Sequence, residues 1–365
     1  LCVLIGYSHF IIRRFYPDGD KFILIFSSVL AVVGVATLYR INRVTAIKQL
    51  VWIAIGMISY ILIVVILPDL RSFSKYKKIY MIVTLLLMPL ALIFGTEQYG
   101  AKNWIIIGKS ISFQPSEFGK IALVLYLASA LATYENKKSF KEEFKELWQP
   151  ALVAGFSMGC MVLQRDLGSA LIFFGISITL LYVATSKKKY VFTALGLAAI
   201  GSVAGYSMFG HVRERVMIWL DPWKYALGES YQIVEGMYSI AAGGLFGVGL
   251  GQGHFQNLPV KESDMIYAII CEEFGIIFAI GLMIIYFLLF YRGIRAAFVT
   301  DDKYSQLIAV GFSTMIACQT LVIIGGIFAV IPLTGITLPI VSYGGSSVLT
   351  IFFALGILQK ISEEA

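Results

Sequence analysis

Charge is scarce in this sequence. Asp, Glu, Lys and Arg together make up 14% of its 365 residues, against roughly 25% in ordinary globular chains. A soluble two-domain architecture, the usual expectation at this length, is excluded by that deficit. Metal-ligating chemistry is thin as well. Only three histidines and four cysteines are present, and Cys2, Cys160, Cys271 and Cys318 show no Cys-x-x-Cys spacing. No His/Cys metal site can be assembled from them by spacing, and cysteines in such apolar surroundings read as small packing groups. Internal repeats of the solenoid kind and low-complexity tracts are missing too. The glycine-rich run from Gly243 to Gly253 has neither the preceding strand nor the lysine of a nucleotide-binding loop. It reads instead as backbone able to fold closely against helices.

What is abundant is apolar length. Hydrophobic residues make up 58% of the chain, and a spanning helix needs about 20 of them in succession. Candidate spans lie near residues 22–39, 49–67, 79–95, 118–133, 151–163, 170–185, 190–209, 265–290, 307–330 and 336–358. The runs are continuous rather than alternating in pieces of about 10 residues, which argues against a membrane barrel. The expected fold class is therefore all-α, a polytopic membrane protein of about ten transmembrane helices. Leu1–Ile12 is apolar but short, and residues 1–21 read as the remnant of a possible extra helix. Residues 22–365 read as one transmembrane domain with a long outer loop at 210–264. No small-residue cleavage site accompanies Arg13-Arg14-Phe15, which argues against a signal peptide.

The net charge of +7 is a matter of topology. With the start of the first full span placed inside, Arg71, Lys75, Lys77, Lys78, Lys137, Lys138, Lys141, Lys145, Lys187, Lys188, Lys189, Arg292, Arg295, Lys303 and Lys360 all fall on the inner side. The outer side carries fewer cations, among them Arg40, Lys102, Lys109, Arg165, Arg213, Arg215, Lys224 and Lys261. This is the positive-inside bias, and nucleic acid is not an expected partner. The inner links are plain Lys/Arg/Glu stretches, whereas the chemically unusual ones lie outside: 96–117, 164–169, 210–264 and 332–347.

Several residues in those links can carry chemistry. Asp264 stands at the mouth of the span beginning near Met265. It can cap that helix or, walled by apolar helices, act as a general base with a raised pKa. Glu117 and Lys120, three apart on one helical face, can neutralise each other or mark a substrate path, because charges within a membrane are expensive and face the bundle interior. Arg213, Arg215, Arg165 and Lys102 can anchor head groups or clamp a pyrophosphate. Asp166 can cap a helix or pair with Arg165. Pro332, Pro339, Gly344 and Gly345, with Ser342, Tyr343, Ser346 and Ser347, break the last apolar region. Such backbone must be buried in protein or line a wet cavity, and small residues there can also serve helix packing.

The ordered strings resemble the SEDS (shape, elongation, division and sporulation) family of RodA/FtsW/SpoVE-type proteins of bacterial cell-wall synthesis. They include Gly100-Ala101-Lys102-Asn103-Trp104-Ile105, Phe113-Gln114-Pro115-Ser116-Glu117 with Lys120, and Asp166-Leu167-Gly168-Ser169-Ala170. Further along come Arg213-Glu214-Arg215, Asp221-Pro222-Trp223, Gly243-Gly244-Leu245-Phe246-Gly247, Pro332-Leu333-Thr334-Gly335 and Val341-Ser342-Tyr343-Gly344-Gly345-Ser346-Ser347. The resemblance implies a peptidoglycan glycosyltransferase of the bacterial cytoplasmic membrane that polymerises lipid II, an undecaprenyl-pyrophosphate-linked disaccharide peptide, on the outer face. It places the essential aspartate at Asp264. Arg213, Arg215 and Lys120 become candidates for holding pyrophosphate, and Trp104, Glu117, Lys102, Arg165, Asp166, Ser342, Tyr343 and Ser346 for the rest of the substrate site.

A class B penicillin-binding protein, the transpeptidase, is the implied protein partner. No cofactor is expected, and a divalent cation can arrive with the lipid pyrophosphate. The chain departs from the family pattern just before Asp264, where it reads Pro259-Val260-Lys261-Glu262-Ser263. Glu262 is expected to raise the pKa of Asp264 and Lys261 to lower it. A lipid II flippase and a scaffold that activates the transpeptidase remain alternatives. Sparse polar groups in the inner half favour the enzyme over a transporter, which needs them along its whole path.

Overall fold

A computed structural model of the chain describes residues 1–98, 100–108, 111–135 and 140–363. Thirteen helices follow one another among these residues: α1 (Cys2–Phe15), α2 (Lys21–Ile41), α3 (Arg43–Ile66), α4 (Lys77–Phe94), α5 (Pro115–Ala132), α6 (Phe140–Leu163), α7 (Leu167–Thr185), α8 (Lys188–Met208), α9 (Gly210–Leu220), α10 (Tyr231–Gly243), α11 (Ile266–Val299), α12 (Lys303–Ile327) and α13 (Gly345–Glu363). Among the described residues nine stretches are long and apolar enough to cross a membrane: α2, α3, Leu70–Phe94 (which includes α4), α5, α7, α8, α11, α12 and α13. Helix α6 has the length of a tenth, 24 residues, and opens on a charged turn with Glu142 and Glu143. Each of the ten expected spans therefore has its helix.

Helix starts follow local chemistry. The Asp20 carboxylate accepts the Phe22 N–H, Asn42 accepts those of Val44 and Thr45, and Asp302 accepts that of Ser305, satisfying donors a first turn leaves free. Pro115 opens α5, where its missing N–H costs nothing. Helices α5, α12 and α13 are the most buried, whereas α8 has no buried residue. The centre of the bundle is thus built late and early in the chain, and α8 lies at its rim.

Contacts between links form one set on the inner side and another on the outer side. On the inner side Asp20 N–H donates to the Ser362 hydroxyl (3.1 Å), Arg292 pairs with Asp20 (3.3 Å), and Lys303 donates to the Tyr134 carbonyl (2.6 Å). On the outer side Arg40 donates to the Gly251 carbonyl (2.6 Å), Lys102 N–H to that of Gln164 (3.0 Å), and Arg165 pairs with Glu97 (3.1 Å). The division is the one the charge bias predicts. Lys109, Lys137 and Lys138 lie outside the described residues.

The outer link 95–114 differs from the all-helical expectation. It forms a small antiparallel sheet of β1 (Thr96–Gln98), β2 (Ala101–Ile107) and β3 (Ile111–Phe113) in the order β1-β2-β3. Gly100 turns the chain between β1 and β2 at φ 79°, a conformation that costs glycine little. Three residues per edge strand is too short for the pattern to stand out among longer apolar runs.

Helix α11 is interrupted at Gly275, where φ is 83° and ψ 167°. The glycine-rich segment after α10 fills this break. Val248 and Gly249 N–H groups donate to the Glu272 and Glu273 carbonyls, while Ile276 and Ile277 N–H groups donate to Gly244 and Leu245. Backbone groups freed within the bundle are thereby satisfied, as an apolar setting demands. The fit is close: a Cβ on Gly275 would meet Gly247 N and Leu245 O at 2.4 Å.

Candidate functional site

A second irregular stretch, residues 328–344 between α12 and α13, lies largely inside the protein. Two buried glutamines hold it. Gln49 of α3 donates to the Ile340 and Ser342 carbonyls (3.2 and 2.9 Å) and accepts from Gly344 N–H (3.3 Å). Gln319 of α12 donates to the Thr337 carbonyl (3.0 Å) and to the Ser347 hydroxyl (3.2 Å). The same stretch is fastened to the residues before α11. Ser342 donates its hydroxyl to the Ser263 carbonyl (2.5 Å), and Tyr343 N–H donates to that of Glu262 (2.9 Å).

Asp264 sits at this junction. It does not cap α11: the cap position is Met265, with no side-chain bond to the helix. One carboxylate oxygen, Oδ1, accepts from the Ser263 hydroxyl (2.8 Å). The other, Oδ2, lies beside Gly335, where an added Cβ would approach it to 3.3 Å. Burial pushes the Asp264 pKa up to about 6, with the Ser263 bond and Arg215 pulling it down and Asp166 pushing it up. The neighbours expected to tune it act elsewhere. Glu262 accepts from the Thr45 hydroxyl (3.1 Å), and the Lys261 ammonium lies over the Phe255 ring and donates to the Gln256 carbonyl. In place of that local pair, the charges acting on Asp264 come from α9 and the start of α7.

Arg215 reaches this centre from α9 and donates to the Leu333 carbonyl (2.6 Å). Burial lowers its pKa, and Asp166 and Asp264 counter that loss. Asp166 caps α7 through the Ser169 N–H (2.9 Å) and also accepts from the Ser169 hydroxyl, Asn103 and Gln114. It does not pair with Arg165, which turns to Glu97. Close packing of Gly168 on Thr334 and Ile336 brings the Asp166 turn onto the broken segment. Asp166, Arg215, Asp264, Gly335 and Ser342 therefore converge from three separate links.

Other candidates are engaged in bonds of their own. Arg213 is two residues from Arg215, on the far side of α9, where it donates to the Ser207 carbonyl (3.2 Å) and lies over the Tyr206 ring. Lys120 is 1% exposed and fully engaged, paired with Glu117 at 2.9 Å and donating to Gln319 at 2.8 Å. Glu117 in turn accepts from Thr350 (3.1 Å). This chain of bonds ties α5 to α12 and α13. Lys102 donates to the Leu92 carbonyl (2.7 Å) near the end of α4, a favoured place for a cation. Trp104 pairs across the sheet with Thr96, and Ser346 accepts from Gln114 N–H (3.4 Å). Gln49, Gln319, Asn103 and His211 are the polar residues that a search centred on charges passes over. An uncharged glutamine inside an apolar run is the signal that points to the first two.

These features define a class: a polytopic helical membrane protein with a carboxylate–arginine centre beneath its outer links. The family model FtsW/RodA/SpoVE, described as cell cycle protein, matches residues 21–365, and the chain belongs to that family. Peptidoglycan glycosyltransferase RodA of Mycobacterium tuberculosis is 35% identical, with 99% of this chain and 82% of that protein covered. Stage V sporulation protein E of Bacillus subtilis is 34% identical, covering 94% and 96%. Among solved structures, a chain from a peptidoglycan synthase complex that coordinates polymerization and crosslinking superposes with a TM-score of 0.80 at 26% identity, covering 94% of this chain and 97% of that one. Rod shape determining protein RodA of Thermus thermophilus superposes with a TM-score of 0.70 at 25% identity, covering 94% and 96%.

Proposed function

We propose that this chain is a peptidoglycan glycosyltransferase of the bacterial cytoplasmic membrane that polymerises lipid II on the outer face, with Asp264 as general base. The observation that carries the reading is Asp264 itself. It is withdrawn from helix capping, set against the broken segment, and raised to about 6 by burial. A base with that pKa is ionised at neutral pH yet stronger than an ordinary carboxylate, which suits proton abstraction. Relatives named peptidoglycan glycosyltransferase, similar over nearly the whole chain, support the same activity here.

Asp264 accepts the proton of the GlcNAc 4-hydroxyl on the acceptor lipid II. The oxygen attacks C1 of MurNAc on the donor, the C1–O bond to pyrophosphate breaks, and polyprenyl pyrophosphate leaves with the electron pair. One displacement inverts C1 and yields a β-1,4 link. Arg215, whose charge acts on Asp264, stabilises the charge that develops on the departing diphosphate. Asp166 fastens the outer sheet through Asn103, and its charge supports that of Arg215. The Glu117–Lys120–Gln319 chain shapes the broken segment from below. A divalent cation, where one is used, comes with the pyrophosphate. A class B penicillin-binding protein is the proposed partner, in keeping with a solved relative that belongs to a synthase complex.

The test is polymerisation of purified lipid II. Asp264→Asn should lower the rate by about 10²–10⁴, the usual worth of a general base, with lipid II binding retained. Normal glycan chains from that variant would overturn the assignment.

A further inference from the structure

Helix α9 carries Arg215, yet the helix itself is barely held. None of its 11 residues is buried, and the helix it packs on most is α8, which has no buried residue either. A helix this short is marginal without tertiary contacts, so its place depends on a few side chains. Two of them bond the broken segment. Arg215 donates to the Leu333 carbonyl (2.6 Å), and the Trp219 indole N–H donates to the Ala329 carbonyl (2.8 Å). The two donors stand four residues apart and so share one face of α9, and their acceptors stand four apart in the segment.

The acceptors are the rigid side of this contact. Ala329 takes a left-handed backbone at φ 51°, a costly state for a residue other than glycine. The turn after α12 holds it there: Ala329 N–H donates to the Gly326 carbonyl, and the Val330 and Ile331 N–H groups donate to that of Gly325. Leu333 folds back onto the same turn, where a Cβ on Gly326 would meet the Leu333 Cα at 3.1 Å. Helix α12 is itself deeply buried. Both carbonyls are therefore fixed to the bundle core, and α9 is the partner brought to them.

The two donors contribute different things. Arg215 supplies charge, which acts on Asp264 and, in the reaction above, on the departing diphosphate. Trp219 supplies one neutral N–H on a rigid, half-buried ring, which can fasten a helix but adds no charge to the chemistry. Arg213, on the other side of α9, bonds the Ser207 carbonyl instead. We infer that Trp219 is a positioning residue for the transfer reaction: its indole N–H pins α9 to the broken segment and so keeps the Arg215 guanidinium at the reacting centre. The inference rests on the glycosyltransferase reading and adds to it the means by which a surface helix delivers its charge.

The experiment measures lipid II polymerisation by purified full-length protein as a function of pH, beside thermal unfolding in detergent. Trp219→Phe keeps a ring and removes the N–H, and its kcat should fall about three- to tenfold, the worth of one neutral hydrogen bond. The rate should rise with pH as Asp264 loses its proton, and Arg215 holds that pKa down. Withdrawing Arg215 should therefore move the acid limb of Trp219→Phe to higher pH, in the same direction as Arg215→Gln and by less. Trp219→Gln places an N–H donor the same number of bonds from the main chain. It should retain more of the rate than Trp219→Phe, although it fills the site less well. In the Arg215→Gln background Trp219→Phe should cost nothing further. Trp223→Phe, at a position 54% exposed in the same loop, should change nothing. A wild-type rate and pH profile in Trp219→Phe would overturn the inference. So would a lower rate with the acid limb in place, a Trp219→Gln slower than Trp219→Phe, or an equal loss with Arg215 already replaced, because each leaves Trp219 a packing role alone. Full polymerisation by Asp264→Asn would instead defeat the glycosyltransferase reading, whatever the Trp219 variants show.

Discussion

The hydroxyl of Ser342 donates to the carbonyl of Ser263 across 79 positions of sequence, fixing the residue before Asp264 to the broken segment that faces it. Asp264 is therefore aimed by two irregular segments bound to each other, neither of which is regular enough to aim it alone. Positioning to a fraction of an ångström is what such catalysis requires.

Removing that bond should be felt in rate before stability. Ser342→Ala leaves the partly buried Ser263 carbonyl without its donor and also frees the buried Leu338 N–H, which bonds the same hydroxyl (2.9 Å). We expect kcat to fall by about tenfold with a stability loss of about 1–3 kcal/mol. Polymerisation kinetics beside thermal unfolding in detergent measure both, and unchanged kcat would show that the bond does not aim Asp264.

The pH profile follows from the charges around Asp264. The base works when deprotonated, so the rate should rise with pH through a midpoint near 6. Arg215 lowers that pKa. In Arg215→Gln the pull is gone, and the acid limb should shift to higher pH on top of any loss of overall rate. An acid limb that stays in place would separate Arg215 from Asp264 electrostatically.

The Glu117–Lys120 pair is a test of buried charge. Lys120→Met strands a carboxylate in the bundle and should cost about 3–5 kcal/mol, whereas Glu117→Leu with Lys120→Met should recover much of it. Thermal unfolding of the two single variants and the double variant gives the cycle. If the double loses as much as both singles together, the pair is not acting as one unit.

Gly275→Ala should uncouple the glycine-rich strap from α11. The φ of 83° alone costs about 1–3 kcal/mol for alanine, and the added Cβ meets two backbone atoms at 2.4 Å. We expect faster proteolysis within 244–253 and lowered activity, read by limited digestion beside the polymerisation assay. Resistance equal to the wild type would mean that the strap is held elsewhere.

The ten spans and their two faces were legible because length of apolar run and lysine placement are local properties. Asp166, Arg215 and Asp264 stood out as charges in unusual outer strings, and they meet. Lys120 and Arg213 stand out for the same reason; Lys120 meets the broken segment through Gln319, and Arg213 bonds the Ser207 carbonyl. The first is consumed by Glu117 and Gln319, and the second lies on the wrong side of a helix whose start a sequence pattern leaves open by a residue or two. The break at Gly275 was invisible inside a 34-residue apolar helix, since apolarity continues through it. The short strands were masked by their brevity. Adjacency suggests that Lys261 and Glu262 tune Asp264, yet neighbours along a turn point in different directions, Glu262 to Thr45 and Lys261 to Phe255.

The strap that fills α11 also has a bearing on protein engineering. Residues 243–253 and the gap at 275 are lock and key made from main-chain atoms, so neither can be exchanged with a relative's counterpart unless the other travels with it. Chimeras that swap the outer loop alone should assemble poorly, and those that move both pieces together should carry Asp264 into its new host correctly aimed.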